Sequence, residues 1–87
     1  MTMHAIETDI STPEASRFLQ QLCKHWSHRL NVTFTPDEGR VAFSESVVCL
    51  MRAAPDTLSL RIEAPTAEET TRMAGVVIDH LLSLIHI

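Results

Sequence analysis

Four strand-like segments, three of them alternating between apolar and polar residues, follow one another from Val32 to Glu63, joined by turns too short for a crossover, and this restricts the fold more than any other feature. Val32 and Phe34 alternate with Thr33 and Thr35. Val41 and Phe43 alternate with Arg40, Ala42 and Ser44, and Leu58, Leu60 and Ile62 alternate with Ser59, Arg61 and Glu63. Val47 to Arg52, the third segment of the four, is apolar on both faces. A period of two is that of a β-strand. Strands that run parallel need a connection of about a dozen residues or more. The separators here are Pro36-Asp37-Glu38-Gly39, Glu45-Ser46 and Ala54-Pro55-Asp56, so sequence neighbours must pair antiparallel. In the first turn Gly39 is expected to take the positive φ that closes it.

The flanks complete the architecture. Ile6, Thr8 and Ile10 alternate with Glu7 and Asp9 in a first strand ending near Ser11. Ser11-Thr12-Pro13-Glu14 then supplies a hydroxyl cap, a proline for the first helical position and an acid for the first turn. Ala15, Phe18, Leu19, Leu22, Cys23, Trp26 and Leu30 fall on one stripe of a helix that Asn31 can end. A second helix starts at Pro65-Thr66-Ala67-Glu68-Glu69, where Thr66 and Glu69 stand at capping-box spacing. It turns Thr70, Met73, Ala74, Val77 and Leu81 inward. The predicted fold is therefore α+β, a two-layer sandwich of order β-α-β-β-β-β-α, with about five antiparallel strands and two helices on one face. An apolar share of 45% in 87 residues suits one packed domain, expected over residues 1–81.

Charge and cysteine content narrow the function classes. A formal charge of −4 argues against nonspecific nucleic-acid binding and against an anionic membrane surface. Full protonation of the five histidines would carry the balance to +1, so surface charge responds strongly to pH just below neutrality. The first residues carry no leader pattern, which makes the cytoplasm the expected compartment. No apolar run approaches the roughly 18 residues of a membrane span. Cys23 and Cys49 are too few for a disulfide framework and are expected as buried thiols. Leu82-Ser83-Leu84-Ile85-His86-Ile87 looks like the translation of a sequencing-library adapter, and residues 82–87 are expected to be a non-native read-through tail.

The run Ser16-Arg17-Phe18-Leu19-Gln20-Gln21-Leu22-Cys23-Lys24-His25-Trp26-Ser27-His28, preceded by Thr8 and followed by Gly39-Arg40 and Cys49-Leu50, resembles the signature of a bacterial family, domain of unknown function 2218 (DUF2218). The resemblance covers roughly Thr8 to Leu81, with a weaker echo at His80-Leu81. It implies little chemistry. Some relatives are joined to siderophore-interacting reductases, so what the resemblance implies is an association with iron or siderophore handling, not a mechanism.

On the first helix Arg17, Lys24 and His28 fall within a roughly 40° sector almost opposite the Phe18-Leu22-Trp26 stripe. With His25 at its edge, this basic ridge is the candidate site for a carboxylate, a phosphate or a negatively charged partner. The plain alternative is a solvated helix face. Cys23-x-His25-x-x-His28 offers metal ligands, but Cys23 lies nearly 200° from His25 around the helix, so the three cannot chelate one ion. A site built from His25 and His28 with the distant His80 or Cys49 is the metal or haem alternative. Thiol catalysis is disfavoured by apolar surroundings. Glu68-Glu69 and Asp37-Glu38 occupy a cap and a turn, and two glycines cannot form a phosphate loop. Arg29 is expected on the buried side, snorkelling past Leu30.

Thr33, Thr35, Arg40, Ser44, Ser59, Arg61 and Glu63 are expected on the uncovered sheet face, where Val48 and Leu50 would suit a homodimer contact. The leading expectation is a small noncatalytic cytoplasmic binding or accessory module engaging an anionic small molecule or protein partner, with no cofactor. The alternatives are a metal- or haem-binding protein and a small enzyme with a histidine base.

Overall fold

The computed structural model describes residues 3–85. The elements follow the expected order: β1 (His4–Ser11), α1 (Ala15–Ser27), β2 (Asn31–Phe34), β3 (Glu38–Ala42), β4 (Val48–Ala53), β5 (Thr57–Ala64) and α2 (Ala67–Ile85). One antiparallel sheet has the strand order β1-β5-β4-β3-β2. The four strands with short turns form a meander in sequence order, and β1 adds to the free edge of β5 with Ile6 opposite Ile62 and Ile10 opposite Leu58.

Both helices pack on one face. α1 lies over β2, β3 and β4, α2 over β1 and β5, and the helices touch each other. Between the layers sits one core in which Leu19, Leu22 and Cys23 of α1 meet Val41, Cys49, Met51, Leu58, Leu60 and Ile62 of the sheet and Val77 and Leu81 of α2. Strand β5 alternates strictly, with Leu58, Leu60, Ile62 and Ala64 buried and the residues between them half-buried. Thr66 Oγ1 accepts the Glu69 N–H at 3.2 Å, the capping contact expected there. α2 continues through Leu82, Ser83 and Leu84 to Ile85, and Leu84 packs against the core. His86 and Ile87 of the expected tail lie outside the described residues. Among the described residues no helix is long and apolar enough to cross a membrane.

Three local expectations are corrected. The N-cap of α1 is Glu14, with no side-chain cap and no acid in the first turn. Thr12 Oγ1 instead accepts the Glu14 N–H at 3.1 Å, turning the chain one step before the helix. Gly39 has no positive φ and is a buried residue of β3. The β2–β3 turn is closed by Thr35, whose N–H donates to the Glu38 carbonyl at 2.7 Å and whose Oγ1 accepts from the Asp37 and Glu38 amides. Finally, α1 stops at Ser27, so Arg29 lies beyond it and is exposed rather than turned inward. The Arg29 and Leu30 amides share the Trp26 carbonyl, the Arg29 bond being an i→i−3 contact that tightens the end of the helix, and Arg29 stands exposed there.

Candidate functional site

The orientation of α1 decides what the ridge can do. Trp26 is buried at 7% exposure, while Arg17, Lys24, His25 and His28 are all exposed, the first three on the helix and His28 at its C-cap. The cationic side therefore faces solvent. It is not uniformly free: Arg17 Nη1 donates to Glu14 Oε1 at 2.5 Å, which offsets the charge at the start of the ridge.

The histidines divide. The rings of His25 and His80 lie 5.7 Å apart between centroids, on opposite helices, and both border Trp26, at 6.5 Å and 5.1 Å. Trp26 also meets Phe43 edge-on at 5.2 Å. His80 Nδ1–H donates to the Val76 carbonyl at 2.8 Å, which fixes that tautomer and leaves Nε2 as the free nitrogen. Of the metal set His25, His28 and His80, only His25 and His80 come together. Among the described residues no group of three histidine, cysteine or acidic side chains is placed to hold one ion.

Cys23 and Cys49 are free, fully buried thiols. Burial pushes the Cys23 thiol from 9.0 up to about 11 and the Cys49 thiol up to about 12, with the nearby Cys23 adding to the second. Since the thiolate is the nucleophile, iodoacetamide at about pH 8 should leave the folded protein unmodified and alkylate both thiols once it is unfolded. These raised values also give the sign of an alkaline effect. Below pH 9 both states are protonated and stability is unaffected; above it the unfolded chain loses protons first, so stability falls as pH climbs through about 12. Alkylation of the native protein at the lower pH would show a reachable, reactive thiol.

The feature not foreseen in the sequence is on the opposite face. Opposed residues of an antiparallel pair point to the same side. The register therefore lays Glu7, Arg61, Leu50, Arg40 and Thr33 in one row across all five strands. Asp9, Ser59, Arg52 and Glu38 form the next row. Together they line a groove of about 640 Å³ on the uncovered side of the sheet. Arg61 donates to Glu63 at 2.8 Å and to Glu7 at 2.5 Å, and these hydrogen bonds, Glu63's the stronger influence, raise its pKa. Arg52 stands 3.8 Å from Glu38. Arg40 is exposed and forms no ion pair among the described residues. Val48 and Leu50 lie half-buried on this face. The alternation of each strand was readable, but the groove depends on β1 standing beside β5, which brings Glu7 and Asp9 alongside Arg61 and Ser59.

A five-stranded antiparallel sheet with both helices on one face and a bare, charged groove on the other defines a small two-layer α+β domain. The chain belongs to the family DUF2218, described as an uncharacterized protein conserved in bacteria, whose model matches residues 7–84. The fold is similar to that in the NMR structure of PA4090 from Pseudomonas aeruginosa, with a TM-score of 0.81 and 30% sequence identity over 100% of this chain and 88% of that one. No curated protein matches the chain.

Proposed function

We propose that the protein is a noncatalytic cytoplasmic binding module that holds an anionic small molecule in the groove of its open sheet face. The observation that carries this reading is Arg40, an exposed guanidinium in a groove whose other two arginines already have carboxylate partners. A guanidinium recognises carboxylate or phosphate through paired N–H donors. Leu50, between Arg61 and Arg40 in the same row, offers an apolar floor to the body of such a ligand. Two free thiols suit a reducing compartment and support the cytoplasmic placement. The siderophore association implied by resemblance makes anionic ferric chelates the first probes, with inorganic phosphate and simple dicarboxylates beside them.

The test is calorimetric titration of these probes into the wild type and an Arg40→Gln, Arg52→Gln double variant. Exposed charges contribute little to folding, so stability should stay within about 0.5 kcal/mol while binding is lost. Retained binding in that variant would remove the groove.

The helix ridge is the second reading, favoured by the exposure of Lys24, His25 and His28 and placed second because Glu14 engages Arg17. An Arg17→Gln, Lys24→Gln variant should bind as the wild type does if the groove is the site, and should lose binding if the ridge is. A second copy is the competing occupant of the open face, since Val48 and Leu50 lie there. Sedimentation velocity at the titration concentration reads it: dimers that dissociate as probe is added would place both on one surface.

A further inference from the structure

We propose that His25 and His80 form a two-point chelate for a divalent transition-metal ion of the zinc class at the junction of α1 and α2, independent of the sheet groove. Imidazole nitrogens bind such ions at 2.0–2.1 Å, which sets the ring centres of two ligands on one ion roughly 5–6 Å apart. The observed separation is 5.7 Å.

Three features of the pair suit such ligation. His80 uses Nδ1–H on the Val76 carbonyl, so Nε2 is the ring nitrogen left to meet an ion. A ligating histidine commonly donates its second ring N–H to a backbone carbonyl, which fixes the ring and raises its basicity. The buried indole of Trp26 borders both rings, 6.5 Å from His25 and 5.1 Å from His80, and meets Phe43 edge-on, so the pair stands on a packed aromatic cluster where the two helices touch. His25 is exposed and gives an ion a path from solvent, while His80 is half-buried. No third protein ligand stands within reach among the described residues, so water fills the remaining positions and the ion is exchangeable rather than structural. The ions this suits are those that accept imidazole readily, zinc, nickel and copper, over the oxygen-seeking magnesium and calcium.

The experiment is a titration of the full chain with zinc chloride, followed by the imidazole carbon-bound proton resonances of all five histidines. The expected result is that the resonances of His25 and His80 move together and saturate at one equivalent, while His28 and His4 do not follow. His25→Gln, at an exposed position, should abolish the saturating shift of His80 with the fold intact. His28→Gln should leave the titration as in the wild type, and magnesium should produce no shift. If the His25 and His80 resonances stay in place, or if His25 moves with His28 and His80 does not respond, the chelate is wrong. The wild-type titration alone decides this, so a His80→Gln variant that failed to fold would not blunt the test.

Discussion

Trp26→Ala is expected to cost about 3–5 kcal/mol of folding free energy, because removing a buried tryptophan forfeits its transfer from water and leaves a cavity. At 7% exposure the indole lies between Phe43, edge-on at 5.2 Å, and His80 at 5.1 Å, under the last turn of α1. It joins α1 to α2 and to the chain just after β3. A domain of this size has a stability of roughly 4–13 kcal/mol, so the loss is a large share of the total. The midpoint of thermal unfolding should fall by roughly 12–40 °C. Urea unfolding followed by far-ultraviolet circular dichroism measures it, since the variant lacks the only tryptophan. Trp26→Phe, which keeps an aromatic ring against Phe43, should lose distinctly less. A cost under about 1 kcal/mol for the alanine variant would mean that the indole is not packed as described. The zinc titration of His25 and His80 would then lose its rigid backing as well.

The orientation of α1 was legible because its apolar stripe recurs over three turns and the buried set Ala15, Leu19, Leu22, Cys23 and Trp26 obeys one helical period. The meander was legible for the same kind of reason: alternation identifies the strands, and short turns leave them no choice of partner. Strand order was not. β1 is separated from β5 by the whole meander, and nothing local in Ile6, Thr8 and Ile10 says which edge they join. The groove was lost with it, since Glu7 and Arg61 are 54 residues apart and meet only through that pairing. Arg29 shows a different limit. Wheel positions extrapolate a helix running up to Asn31, whereas the chain leaves it at Ser27, and three residues are enough to carry a side chain from the core side to solvent. His25 and His80 lie on different helices and were paired in sequence only as members of a larger metal set; their proximity is a consequence of helix packing around Trp26.

Gly39→Ala is expected to destabilise the fold by about 1–3 kcal/mol, although alanine ordinarily improves on glycine in a strand. The turn that was expected to need this glycine does not. What needs it is the seat of α1 on β3: a Cβ at position 39 would stand 2.7 Å from Cys23 Sγ and 3.3 Å from Leu19 Cδ2. Both neighbours are fully buried, so neither can swing away into solvent. Against this, alanine restricts the unfolded chain and contributes about 0.4–1 kcal/mol in the other direction. The contact is too close for that gain to win. Gly75 is the internal control, an exposed helical glycine with nothing within 4 Å of its would-be Cβ, and Gly75→Ala should stabilise by about 0.5–1 kcal/mol. Cys23→Ala supplies the decisive comparison. It removes the sulfur that Gly39→Ala strikes, so the double variant should be more stable than the two single losses added together, with a coupling of about 0.5–3 kcal/mol. Urea midpoints of the four proteins in the cycle measure it. Strict additivity would place the strain elsewhere, and a stabilised Gly39→Ala would mean that α1 stands farther from β3 than the glycine allows.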